Sequence, residues 1–349
     1  MIDIKSLLRK SVLTLKPYST ARDEFKGKAE VFLDANENPY LPPYNRYPDP
    51  RQEQLKQLIA ATKGVKQSQL FLGNGSDEAI DLLIRIFCEP NKDSVMITEP
   101  TYGMYSVCAS VNSVKVINAP LDAKFDLDPG AVRKAAARRT KLLFLASPNN
   151  PTANSLSRER VMEVIKTFKG IVVIDEAYID FSAGKGFLGE LSKHKNLVVL
   201  QTFSKAWGLA GARLGMCFAD ELIINTLNKV KYPYNINSLT QEIVTLTLRE
   251  KPEIQTFIEN ILEQRKWLVE NLDGLTCIKE IFPSDANFIL VRFENGPGAY
   301  RYLLDNSIIV RDRSGSPRCE NCLRITVGTP QENLQLIKAL KRYDESSVS

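Results

Sequence analysis

Four short apolar runs constrain this chain most: residues 95–98, 141–146, 171–175 and 196–201. Each is rich in valine, isoleucine or leucine, and each reads as a buried strand. Helical patterns lie between them. Ala79, Ile80, Leu83, Ile84 and Phe87 recur on one helical face, and residues 158–168 form another such pattern. Strands apolar on both faces, alternating with helices, predict an α/β fold with a mostly parallel sheet covered by helices.

The character changes near residue 245. Residues 241–272 read as one or two charged amphipathic helices. Strands are expected at 286–292, 307–311 and 322–327, and a last helix at 330–343. The chain therefore divides into a large domain over 35–245 and a small α+β domain over 246–349. Residues 1–34 are expected to pack with the small domain, and residues 344–349 to fray.

With 349 residues, 44% of them hydrophobic, the chain can bury a substantial core. A net charge of +5 without a basic block argues against a nucleic-acid partner. No apolar run reaches membrane-spanning length, and Asp3 and Lys5 stand where a signal peptide would be apolar. Six scattered cysteines fit free thiols and a cytoplasmic location. Cys319 and Cys322 have the spacing of a metal or redox pair. The chain has no second such pair and one histidine, so they read as two thiols beside a strand, with no metal expected. That histidine, His194, lies between Lys193 and Lys195 in a polar connection, which argues against serine or cysteine triads.

The chemistry-bearing residues follow strand ends, where open parallel sheets bind ligands. Lys205 follows Ser204 after the run ending at Gln201, with Arg213 further on. Partly desolvated and near a second cation, its amine would have a lowered pKa and act as a nucleophile. The alternative is an ordinary surface lysine. Asp175 ends another apolar run and reaches the same sheet edge; it could equally cap a helix or serve as a metal ligand. Gly73, Gly75, Ser76 and Asp77 open a helix whose free N–H groups suit a phosphate. A dinucleotide-binding reading fails for lack of a third glycine and of a strong preceding strand. Asn150, in the turn Ser147–Thr152, either aims at a ligand or simply makes a turn.

The order Gly75-Ser76-Asp77, Tyr102, Asn150-Pro151-Thr152, Asp175 with Tyr178, Ser204-Lys205 and Arg213 resembles the fold-type I pyridoxal-phosphate aminotransferases. The resemblance runs from about Asp34 to Arg342. Within that group it is nearest to the histidinol-phosphate aminotransferases, through residues 33–40, 46–49, 99–105 and 322–327. It implies pyridoxal 5'-phosphate as cofactor and amino transfer between histidinol phosphate and 2-oxoglutarate, giving glutamate, in a homodimer. Lys205 would then carry the cofactor and shuttle a proton, and Asp175 would pair with the pyridine nitrogen. Tyr178 and Asn150 would hold the ring hydroxyl, and Tyr102 would stack on the ring. Ser76, Asp77, Ser204 and Arg213 would bind its phosphate, with Tyr47 reaching across from the neighbouring subunit. Arg324 would hold the glutamate carboxylate, Arg311 the substrate phosphate, and Asn36 would lie near the substrate. Ala153 departs from the family's glycine, and a positive φ there would strain it. Threonine-phosphate decarboxylation, aromatic amino acid transamination and a non-catalytic scaffold role are the competing readings.

Overall fold

The computed structural model describes residues 3–348 except 20, 26, 28, 29, 251 and 252; the side chains of residues 22, 23, 347 and 348 also lie outside the description. Among the described residues, a seven-stranded sheet contains β1 (Leu70–Asn74), β2 (Ser94–Ile97), β3 (Lys115–Asn118), β4 (Thr140–Ala146), β5 (Ile171–Asp175), β6 (Leu197–Thr202) and β7 (Leu214–Ala219). Its order is β1-β7-β6-β5-β4-β2-β3. From β3 to β6 all neighbours are parallel, while β7 runs antiparallel to both β6 and β1.

Alternation along the strands supplies two cores. Leu143, Leu145, Val172 and Ile174 enter one, with Leu55, Ile59, Val161 and Ile165 from the covering helices. Leu142, Phe144, Ile171 and Val173 enter the other, against Ile80, Leu83, Phe87 and Ile223. Successive side chains of a strand point to opposite faces, so runs apolar throughout are what a sheet covered on both sides requires.

The second sheet contains β8 (Ile278–Ile281), β9 (Phe288–Phe293), β10 (Arg311–Asp312) and β11 (Cys322–Thr326), in the antiparallel order β10-β11-β9-β8. Helices Ile254–Leu272, Gly296–Asp305 and Pro330–Val348 pack on it through Leu268, Leu303 and Leu340.

Several expectations change. The N-terminal segment packs on the large sheet's covering helices, not with the small sheet. Ile4, Leu8 and Val12 share a core with Ile80 and Phe87, and the Arg9 N–H donates to the Ile86 carbonyl at 2.9 Å. Their four-residue spacing makes one apolar stripe that needs a helix to cover it. The parts of 1–34 at residues 1, 2, 20, 26, 28 and 29 lie outside the described residues. Residue 245 is no boundary: helix Ser238–Glu250 spans it, and Val244 and Leu248 pack into the large core. The expected 241–272 stretch is two helices, with residues 251 and 252 outside the described residues. A strand does precede the glycine loop: β1, whose apolar run Leu70–Leu72 is short and followed by Gly73, is held by pairing with β7. Of the strand expected at 307–311, only Arg311 pairs, because Ser307 at φ 61° is spent in turning the chain out of a helix. The last helix continues to 348, since Asp344 accepts hydrogen bonds from Thr276 and Cys277; Ser349 lies outside the described residues.

If the N-terminal stripe is part of the large core, Leu8→Ala is expected to cost about 2–4 kcal/mol, the usual range for emptying a buried leucine site. Equilibrium urea unfolding measures it. A loss below about 0.5 kcal/mol, the size of a surface substitution, would contradict this packing.

Candidate active site

Beyond the carboxyl ends of β4, β5 and β6 lies a cavity of about 480 Å³. Lys205 follows β6 in a tight turn closed by Gly208 N–H to the Lys205 carbonyl at 3.1 Å and Leu209 N–H to the Phe203 carbonyl at 3.1 Å. Phe203 is buried beneath the turn with its ring 5.2 Å from that of Trp207. This anchoring aims Lys205 into the cavity, where it stays open to solvent and stands 5.6 Å from the Tyr178 ring. The surrounding protein, with the Arg324 charge beside it, holds its ammonium below the ordinary lysine range.

Asp175 ends β5 and is buried. The Tyr105 hydroxyl donates to Oδ2 at 2.7 Å and the Ala177 N–H to Oδ1 at 3.1 Å. Burial pushes the carboxyl above its ordinary range, against the pull of those donors and of the Lys205 charge. Next in sequence, Glu176 turns away from the cavity. It accepts from Gln201 at 2.8 Å and from the Phe187 N–H at 2.5 Å, and burial pushes it up to about 7.

A cradle closes one end. Gly73 of β1 pairs with Gly215 of β7, and helix Gly75–Phe87 begins at once. A Cβ on Gly215 would lie 2.1 Å from the Ser76 nitrogen, and one on Gly75 would lie 2.7 Å from Arg213 Nη2. Only glycine allows that approach, and Gly75 at φ 72° favours it for its backbone as well. Arg213, itself at φ 56°, stands 3.9 Å from Asp77. Ser204 joins them through Thr202, whose hydroxyl lies 3.0 Å from its own. The result is a helix N-terminus with a guanidinium beside it, a geometry suited to a phosphate.

The opposite wall comes from the second sheet. Arg311 and Arg324 are directly opposed on β10 and β11, and Arg313 also lines the cavity. Leu323 and Ile325 are buried on the other face, which turns Arg324 toward the cavity. Its Nη1 donates to Asn150 Oδ1 at 2.7 Å, while its buried Nε has no partner among the described residues. Burial, with Arg311 adding repulsion, lowers the pKa of Arg324. Like charges facing each other across a ladder are unfavourable without an anion. Tyr178 lies between the walls, its phenol pushed up to about 12 by burial. Tyr102 is half-buried, its hydroxyl donating to Asp77 at 3.2 Å.

Eleven of the thirteen residues singled out in the sequence thus line one cavity. Tyr47 and Asn36 do not. They line a separate groove, where Tyr47 stacks on Tyr234 with ring centroids 4.5 Å apart. Cys319 and Cys322 are buried away from the cavity. Sequence reading missed Tyr105 and Arg313. Tyr105 lies in the first turn of helix Met104–Val111, just after Tyr102, and Arg313 follows directly on β10, which starts at Arg311; closeness in sequence to a residue already singled out was the available signal. Ala153 adopts φ 68°, as expected, and is buried against Ala286 and Phe288.

The sheet order and this cavity are those of a fold-type I transferase. The chain belongs to the class I and II aminotransferase family, whose model matches residues 26–340; the family depends on pyridoxal phosphate. It is 54% identical to a histidinol-phosphate aminotransferase from Parabacteroides distasonis, over 98% of this chain and 99% of that one. The histidinol-phosphate aminotransferase of Clostridium acetobutylicum superposes with a TM-score of 0.80 at 25% identity, over 87% of this chain and 92% of that one. The Sinorhizobium meliloti enzyme, solved in complex with pyridoxal-5'-phosphate, has the same fold, with a TM-score of 0.80 at 21% identity over 86% of this chain and 84% of that one.

Tyr105→Phe tests the electrostatics around Asp175. The variant leaves a buried carboxylate one donor short, which costs about 1–3 kcal/mol. Losing the donor raises the folded-state pKa of Asp175 further above its unfolded value. The charged form then becomes costlier, and stability falls more as pH rises through that range. Melting temperatures of cofactor-free protein are expected to show a larger deficit at about pH 8 than at about pH 5. Equal deficits would mean that Asp175 is not the group responsible.

Proposed function

We propose that this chain transfers the amino group of L-histidinol phosphate to 2-oxoglutarate, giving imidazole acetol phosphate and L-glutamate, with pyridoxal 5'-phosphate as cofactor. The reaction belongs to histidine biosynthesis, and the protein works in the cytoplasm. The observation that carries the reading is the direct opposition of Arg311 and Arg324 on a wall facing Lys205. A substrate with a phosphate and a co-substrate with two carboxylates both need such a wall, and guanidinium forks accept either anion. The histidinol-phosphate aminotransferases of about half-identical sequence support the same conclusion.

The cavity fits the cofactor. Asp175 is a buried carboxylate whose charge has no cation in contact, and a protonated ring nitrogen would supply one. The glycine cradle admits a group that no Cβ could share. When bound, pyridoxal phosphate supplies a sink for the electrons left at the substrate's α-carbon. The amides of Ser76 and Asp77, with Ser204 and Arg213, would hold the phosphate. Tyr102 would cover one ring face, and Asn150 and Tyr178 would orient the ring hydroxyl. Lys205 Nζ would hold the cofactor and, as a neutral amine, would accept and return the proton of the substrate's α-carbon. Its lowered pKa leaves more of the amine neutral for both tasks.

Tyr47 and Asn36 serve the neighbouring subunit in a homodimer. Their groove adjoins helix Ser238–Glu250, whose Leu239, Ile243 and Leu246 are exposed apolar residues. Tyr47→Phe would lose a hydrogen bond to a charged group, weakening cofactor retention about ten- to a hundredfold; unchanged retention in the purified dimer would remove it from the site.

Two measurements test the reaction. Lys205→Ala is expected to abolish turnover with the fold intact by circular dichroism, since no other lysine lines the cavity. Single-turnover half-reactions separate the arginines. Arg324→Ala is expected to slow both halves, and Arg311→Ala mainly the histidinol phosphate half. Small, equal losses in the Arg311 variant would sink that division of labour. Carbon dioxide release from O-phosphothreonine, with no glutamate formed from histidinol phosphate, would replace the reaction itself.

A further inference from the structure

Arg313, the third arginine of the wall facing Lys205, stands where the chain leaves β10 for β11. Its N–H donates to the Cys322 carbonyl at 2.8 Å, one step beyond the paired Asp312 and Leu323. Its carbonyl accepts from the Ser316 N–H at 2.8 Å. These bonds fix the backbone, while the half-buried side chain has little to hold it. Its buried Nε has no hydrogen-bond partner among the described residues. The Arg324 Nε shares that condition, but the Arg324 Nη1 donates to Asn150 at 2.7 Å.

The charges that act on Arg313 most strongly are those of Arg324 and Arg311, and both repel it. Burial and that repulsion hold its guanidinium below the ordinary arginine range. Tyr178 and Cys319 also adjoin it. Both stay protonated: burial pushes Tyr178 up to about 12, and contact with Cys322, then burial, pushes Cys319 up. Asp312, next in the chain, does not line the cavity, and its carboxylate accepts from the Ser314 N–H at 2.8 Å. Asp77 and Asp175 do line it, but they accept from Tyr102 and Tyr105. A half-buried cation with an unpartnered Nε is a cost that an anion would offset.

The chemistry of the two substrates divides the three arginines. A carboxylate offers two oxygens and one charge, and one guanidinium fork uses both. Glutamate, with two carboxylates, is satisfied by two forks. A phosphate ester has three terminal oxygens and close to two charges at neutral pH. We infer, on the reading that histidinol phosphate and glutamate are the substrates, that Arg313 determines specificity between them. Beside Arg311, it holds the third oxygen and the second charge of the phosphate, for which glutamate has no counterpart.

Single-turnover half-reactions of the full chain, saturated with pyridoxal phosphate, test this with each substrate at about pH 8 and about pH 5.5. With its second pKa at about 6, the ester is a dianion at the higher pH and mostly a monoanion at the lower. At the higher pH, Arg313→Gln is expected to weaken the apparent affinity for histidinol phosphate about ten- to a hundredfold, the loss of a charge-assisted hydrogen bond. At the lower pH the ratio of wild type to variant is expected to shrink severalfold, because the second charge is gone. The substrate's imidazole titrates alike with both proteins, so the ratio cancels it. For glutamate the ratio is expected to be far smaller at both pH values. Arg313→Lys keeps the charge and loses the fork. It is expected to weaken histidinol phosphate by a smaller factor, still larger than for glutamate, and it decides the matter if the glutamine variant does not fold. A ratio that is the same at both pH values, or the same for both substrates, overturns the inference and leaves the amino transfer standing. Wild-type protein that shows no half-reaction with histidinol phosphate overturns that reading and the role of Arg313 together.

Discussion

The carboxylate of Asp175, buried at the end of β5, is the constraint on which the site depends. A buried anion is tolerable only with donors and a cation within reach. Two donors are built in, from Tyr105 and Ala177, and the neighbouring parallel strands supply the walls that exclude water. Lys205 leaves the next strand over, so sheet register alone sets the distance between the acid and the amine. The charge at Asp175 also partly restores the Lys205 ammonium against its desolvation. Each group's state therefore depends on the other, and on what lies between them.

The second sheet contributes the opposite sign. Arg311 and Arg324 reach one cavity because β10 and β11 keep them on the same side, with Leu323 and Ile325 locked into the small core behind, and Arg313, just past β10, lines it as well. Their mutual repulsion is a cost carried by the folded protein and offset when an anion binds. Contacts between the two units pass close by. The Asp285 N–H donates to the Ala153 carbonyl at 2.8 Å, and Arg318 donates to the Leu121 carbonyl at 2.6 Å. Alanine at φ 68° persists at position 153 because its methyl is fully buried between the units, against Ala286 and Phe288. Packing there offsets the backbone strain that a glycine would avoid.

What could be read in the sequence followed local rules. The four central strands appear within a residue or so of the expected limits, because their apolar runs are uninterrupted. β1 and β7 were harder. Each contains a glycine that a Cβ-free approach requires, and their strand character comes from pairing with each other. The segment before Arg311 shows the converse. Its apolar residues suggest a strand, but the turn at Ser307 uses up the length that pairing would need.

The sequence by itself determined the alternating architecture, the placement of Lys205 and Asp175 at strand ends, and the family to which the chain belongs. Those properties lie in short periodicities and spaced motifs, and a strand's polarity carries its last residue to a known edge of the sheet. Only the tertiary structure decided that Tyr105 would hold Asp175, that Arg311 would face Arg324, and that Ile4, Leu8 and Val12 would cover the large core instead of the small one. Each of these joins residues far apart in the chain, and such contacts are selected by shape and burial in the assembled core, which no local pattern encodes.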